Sequence, residues 1–150
     1  MTGPLDVAVV GAGPTGLLLA NLLGARGLRV AVLERQPTPY DLPRAVHFDG
    51  ETMRILQSAG LARRVLPQTR VNPGMLFKDP GGRVIIDWSR DMAPGPMGWH
   101  ESYRCHQPGV EAVLADGLAR YPGVCLRRGV GVDGLDQEAD RVTLHTGRGR

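Results

Sequence analysis

The chain has 150 residues, one domain's worth of sequence and enough to bury roughly two-thirds of its unfolded surface. Its apolar share of 42% and charged share of 22% are those of an ordinary globular protein, and the net charge is only +3. Arginines are scattered and Lys78 is the sole lysine, which points away from nucleic acid, and no stretch approaches ~18 uninterrupted apolar residues, so a helical membrane span is excluded.

Met1–Asp6 has no basic stretch ahead of its apolar run, so no targeting segment is expected and the chain reads as cytoplasmic. Cys105 and Cys125 are too few and too far apart for a zinc site or a redox pair. They are expected to be reduced, partly buried thiols, and no metal is expected.

Leu5–Val10 is apolar apart from Asp6, which predicts a strand buried on both faces of a parallel sheet. Gly11-Ala12-Gly13-Pro14-Thr15-Gly16 follows and fits G-x-G-x-x-G. Pro14 and then Leu17, Leu18, Ala20, Asn21, Leu22 and Leu23 predict a helix ending at Gly24 and Gly27. Leu28–Leu33 predicts a second strand, parallel to the first, with Glu34 at its end.

A bare glycine pattern is weak, but strand, turn, helix, strand and acid in this order describe a cradle for the ADP half of a dinucleotide. Gly11 allows the tight turn, Gly13 lets backbone approach a pyrophosphate, and Gly16 lets helix and strand pack closely. Phosphates are favoured at the helix N-terminus by its N–H groups and dipole. Glu34 can accept hydrogen bonds from adenosine ribose hydroxyls, and its charge disfavours a 2′-phosphate in this half.

The next segment, "QPTPYDLPRAVHFDG", is broken by Pro37, Pro39 and Pro43 and is expected to be irregular. Glu51–Ala59 predicts an amphipathic helix with Met53, Ile55 and Leu56 inward and Gly60 as its stop. "MLFKDPGGRVIIDW" predicts a hairpin turning at Asp79-Pro80-Gly81-Gly82, and "DMAPGPMGW" a loop. Tyr103–His106 predicts a short strand and Pro108–Tyr121 a helix closed by Pro122-Gly123. Val124–Leu126, Val130–Leu135 and Arg141–Thr146 alternate like strands. An NAD domain would run quickly into another helix and a third parallel strand; the proline-broken excursion favours FAD. Two alternatives stay open: an NAD-dependent dehydrogenase domain, and a non-catalytic remnant that keeps only the ADP cradle.

Three segments, "GAGPTGLLLANLL", "VLERQPTPYDLPRAVHFDGETMRILQSAGL" and "GWHESYRCHQPGVEAVLADGLARYPGV", occur in this order. With them the chain resembles the single-component FAD-dependent aromatic hydroxylases of the para-hydroxybenzoate hydroxylase type, above all the 3-(3-hydroxyphenyl)propionate, phenol and resorcinol hydroxylases. The resemblance implies an α/β fold: a Rossmann-like FAD-binding domain of the glutathione-reductase type, with a parallel sheet and an inserted β-hairpin. It implies that Gly11, Ala12, Gly13, Pro14, Thr15 and Gly16 cradle FAD and that Glu34 and Arg35 hold its adenosine end. Arg44 and Ala45, in the turn Pro43-Arg44-Ala45, would run beside the flavin and pyrophosphate, and Gln107 would contact the ribityl and pyrophosphate region. Arg35 and Arg44 can also be solvated surface arginines, Gln107 a helix-start residue and His47 a structural histidine.

By the same resemblance, NADPH or NADH reduces bound FAD, O₂ is taken up, and a flavin hydroperoxide hydroxylates a phenolic substrate. No catalytic residue is assignable in this chain. Such hydroxylases run to several hundred residues and carry an Asp-Gly motif and a later Gly-Asp motif; neither appears here, since Asp133-Gly134 lies inside a strand pattern and lacks the residues that surround the first. Residues 1–150 are therefore expected to be the N-terminal part of an FAD-binding domain, with the rest of that domain and the substrate domain absent and the piece inactive alone. Uncovered apolar surface would then favour self-association, which leaves a homo-oligomer open.

Overall fold

The computed structural model describes residues 4–148. In chain order the elements are β1 (Val7–Val10), α1 (Pro14–Gly24), β2 (Val30–Glu34), β3 (His47–Asp49), α2 (Gly50–Ser58), α3 (Ala62–Val65) and β4 (Thr69–Val71). They continue with β5 (Gly74–Lys78), β6 (Val84–Ser89), β7 (Ser102–Cys105), α4 (Gln107–Gly117), β8 (Val124–Arg128), β9 (Val130–Gln137) and β10 (Val142–Arg148). Short 3-10 turns lie at Leu66–Gln68 and Leu118–Arg120. Two units form: one from the residues up to Leu42 with those from Glu111 onward, the other from Pro43–Val110.

The first unit is built on a parallel sheet of order β1-β2-β8. Val7 pairs with Val30, and Val30 in turn with Val124. The apolar run that was expected to be buried on both faces is the edge strand β1, where Val9 is buried but Val10 is 60% exposed. The central place belongs to β2, whose Val30 and Val32 are fully buried because strands flank it on both sides. Asp6, the break in the apolar run, accepts the Arg29 N–H at 2.7 Å and forms an exposed ion pair with that arginine, so it ties the start of β1 to the start of β2.

Helix α1 covers this sheet with Leu17 and Ala20, both fully buried. A Cβ on Gly24 would come within 2.7 Å of the Tyr121 and Val124 side chains, so only glycine permits that approach. Asn21, expected only as one more helix builder, is fully buried and polar. Its Nδ2 donates to the Leu17 and Leu114 carbonyls, both at 2.9 Å, and its Oδ1 accepts from Arg120 at 3.0 Å. Strands β9 and β10 form an antiparallel hairpin whose register shifts between His145 and Thr146. The third parallel strand, β8, arrives only at Val124, which is unlike the quick return expected of an NAD domain.

The second unit holds an antiparallel sheet of order β3-β7-β4 and the β5-β6 hairpin. Its core is Met53, Leu56, Leu61, Val65 and Tyr103. The segment expected to be irregular ends in a strand: no proline follows Pro43, so His47–Asp49 is free to pair with β7. Helix α2 starts at Gly50, one residue earlier than predicted, because the Asp49 carboxylate accepts the Thr52 N–H at 2.8 Å as a cap. Ile55 is only half buried. The hairpin turns as predicted, with Leu76, Ile85, Ile86 and Trp88 more than half exposed. Helix α3 and β4 were not foreseen, being too short for any periodicity to show. Helix α4 gives way to a 3-10 turn before Tyr121.

Candidate functional site

The first unit carries the glycine turn. Gly11 has φ of +102° and donates its N–H to the Leu33 carbonyl at 2.7 Å, so the chain leaves β1 through a conformation that L side chains rarely adopt. A Cβ on Gly16 would lie 2.1 Å from the Gly11 carbonyl oxygen, which makes glycine obligatory for closing the turn onto the helix. Gly13 differs from both. Its φ of −78° and ψ of −176° suit any residue, and among the described residues a Cβ there would meet no atom within 4 Å beyond its chain neighbours. Nothing inside the fold requires glycine at position 13.

That open space lies at the start of α1. Pro14 occupies the first turn, no side chain caps the helix N-terminus, and the first turn holds no acid. Thr15 is exposed and Ala12 buried. The arrangement leaves the positive end of the helix dipole facing a gap of the kind a phosphate fills.

Glu34, at the end of β2, accepts the Ala12 N–H through Oε2 at 2.8 Å and the Gln36 N–H through Oε1 at 2.9 Å. Burial pushes this carboxyl up, but the two N–H donors, with Arg128 and Arg35 nearby, take it below its ordinary value. The group is ionised at neutral pH, and each oxygen has a further lone pair for a ribose hydroxyl. Arg35 is exposed and its Cβ would lie 3.8 Å from a Cβ on Gly131 of β9. Arg128, the β8 partner of Glu34 in the ladder, was not singled out in the sequence; its place beside the acid depends on a pairing 94 positions away.

The second unit carries Arg44, Ala45 and Gln107. Gln107 is buried, and its Oε1 accepts the N–H groups of Arg44 at 2.8 Å and Ala45 at 2.5 Å. One side-chain oxygen therefore holds the exposed Pro43-Arg44-Ala45 turn in shape. The resemblance implied a ligand contact for Gln107; the structure gives its carbonyl a bracing contact to the neighbouring loop. His47 lies on a strand, and its Nε2 is 2.6 Å from Ser102 Oγ. Among the described residues no group of three His, Cys, Asp or Glu side chains could hold a metal ion, and both cysteines are free and partly buried.

The model for the "FAD binding domain" family matches residues 4–148. The chain belongs to this family. Among its relatives, the probable NADH-specific resorcinol 4-hydroxylase of Rhodococcus jostii (strain RHA1) is 45% identical over 134 residues, covering 89% of this chain and 25% of the relative. The 3-(3-hydroxy-phenyl)propionate/3-hydroxycinnamic acid hydroxylase of Mycobacterium avium (strain 104) is 43% identical over 144 residues, covering 95% and 24%. The crystal structure of p-nitrophenol 4-monooxygenase from Pseudomonas putida DLL-E4 superposes with a TM-score of 0.82 at 30% identity, covering 93% of this chain and 35% of that one. The chain thus spans about a quarter of the length of the curated relatives it matches. The cofactor of this FAD binding domain is FAD, and the gap at Gly13 fits a pyrophosphate in two respects: a side chain there would fill it, and the first turn of the helix beside it holds no acid. Among the described residues no helix is long and apolar enough to cross a membrane.

Proposed function

We propose that the chain is the N-terminal, FAD-holding part of an NAD(P)H-dependent flavoprotein monooxygenase that hydroxylates a phenolic ring with O₂. The observation that carries the first half is Gly13, a glycine the fold itself does not need, placed where a helix N-terminus faces open space. The family and the relatives named as hydroxylases support the second half.

In this reading Gly11, Ala12, Gly13, Pro14, Thr15 and Gly16 receive the pyrophosphate, and Glu34 with Arg35 orients the adenosine. Arg44 and Ala45, braced by Gln107, form the wall beside the flavin; a guanidinium suits a phosphate oxygen by its paired N–H groups. Bound FAD would supply the hydride-accepting and O₂-activating chemistry. The protein binds and orients the reactants and excludes water. The substrate domain and the groups that activate the phenol belong to the longer protein, and the compartment of that protein is the cytoplasm.

The test is a visible absorbance spectrum of the purified chain after addition of FAD and desalting. Retained flavin bands near ~370 and ~450 nm support the reading. A folded but colourless protein would favour the nucleotide-binding remnant instead, and tighter binding of NAD than of FAD would sink the assignment.

A further inference from the structure

The outward face of the β3-β7-β4 sheet carries charge. In the ladder, Arg70 of β4 stands directly opposite Arg104 of β7, and His47 of β3 stands opposite Arg104 on its other side. Cross-strand partners share a face, and like charges in that register repel. Neither arginine forms an ion pair among the described residues. Arg104 Nε donates to Asn72 Oδ1 at 3.2 Å, and Arg70 Nη1 donates to the carbonyl of Thr69 at 3.2 Å.

A cavity of about 320 Å³ opens at this place, and its lining includes Gln68, Thr69, Arg70, Arg104, Cys105 and His106. His106 precedes α4, and its Nδ1 accepts the Gly109 N–H at 3.3 Å. That contact assigns the proton of the neutral ring to Nε2, making it a donor too. No carboxylate is in the lining, and the first turn of α4 holds no acid. Two forked cations and an imidazole N–H border a space whose lining holds no carboxylate.

We propose that this cavity binds the oxyanion group of a small ligand, a carboxylate or a phosphate, gripped by Arg70 and Arg104. A guanidinium pairs with either anion through two parallel N–H bonds, and two of them side by side match one anion better than they tolerate each other. The site lies wholly in the Pro43–Val110 unit and does not draw on the glycine turn, so it stands apart from the FAD reading. Two sources supply such a group: the carboxylate of an aromatic acid and the phosphate of a nucleotide.

The experiment is an NMR titration of the whole chain at constant ionic strength, with inorganic phosphate in one arm and phenylpropionate in the other. Saturable shifts are expected at the amides of Thr69–Val71 and Arg104–His106. Arg70→Gln should weaken the binding roughly tenfold while leaving the spectrum folded, since this side chain reaches only its neighbour's carbonyl. Saturation by phosphate alone assigns a nucleotide phosphate, by phenylpropionate alone an aromatic acid, and by both an oxyanion site without selection. Absence of saturable shifts with either anion, or equal affinity in Arg70→Gln, overturns the proposal.

Discussion

The Glu34 carboxylate accepts the Ala12 N–H at 2.8 Å, so the acid that ends β2 also holds the turn that opens α1. A residue chosen from the sequence for a ribose contact is therefore part of the fold as well. Its removal must be read in two measurements, one of stability and one of affinity.

Glu34→Ala is expected to lower the unfolding free energy by about 1–3 kcal/mol, because it strips the acceptor from the partly buried Ala12 N–H and from the exposed Gln36 N–H. FAD affinity should fall by a further ~1.5–3 kcal/mol through lost ribose hydrogen bonds. Denaturant titration and FAD titration of the same variant separate the two. Unchanged FAD affinity in folded Glu34→Ala would remove Glu34 from the cofactor site.

Acid should weaken the fold through the same group. The folded-state carboxyl lies below its ordinary value of 4.5. Its contribution is therefore complete above that unfolded value and is lost as pH falls through the lower folded one. Denaturation midpoints measured between neutral pH and about pH 3 should decline less steeply in Glu34→Gln than in the parent chain. Parallel curves would show that other carboxylates dominate.

Gly13 and Gly16 should respond in opposite ways. Gly16→Ala drives a Cβ to 2.1 Å from a backbone oxygen and is expected to cost about 1–3 kcal/mol or prevent folding. Gly13→Leu puts its side chain into open space and should leave the melting temperature nearly unchanged while abolishing FAD binding. Retained flavin absorbance in Gly13→Leu contradicts the cradle.

Gln107→Leu should release the Pro43-Arg44-Ala45 turn by leaving two N–H groups without their shared acceptor. Amide hydrogen exchange at Arg44 and Ala45 is the readout, with acceleration of about tenfold or more expected. Gln107→Glu keeps an oxygen in place and should restore slow exchange. Equal exchange in all three proteins would mean that the loop is held by something else.

Asn21→Leu should destabilise the first unit by about 2–3 kcal/mol, since it leaves Arg120 and two carbonyls short of a buried partner. Thermal unfolding measures this directly. FAD affinity, by contrast, is expected to stay the same where the variant is folded.

The sequence by itself determined the parts whose signals are local. The β-α-β unit, the roles of Gly11 and Gly16, the acid at the end of the second strand and the Asp79–Gly82 turn all follow from neighbours along the chain, because φ preference, helix capping and hairpin chemistry act over a few residues. Tertiary structure decided what depends on distant partners. It moved β1 to the edge and gave the centre to β2, since β8 joins from 94 positions beyond Val30. It turned the end of a proline-rich segment into β3, because β7 supplies a ladder that no local pattern announces. It made Asn21 a buried bracket and Gln107 a loop brace, roles that exist only where the carbonyls and N–H groups of remote residues converge. It also set Arg70 opposite Arg104: a sequence shows two arginines, and only the register of a sheet makes them one site.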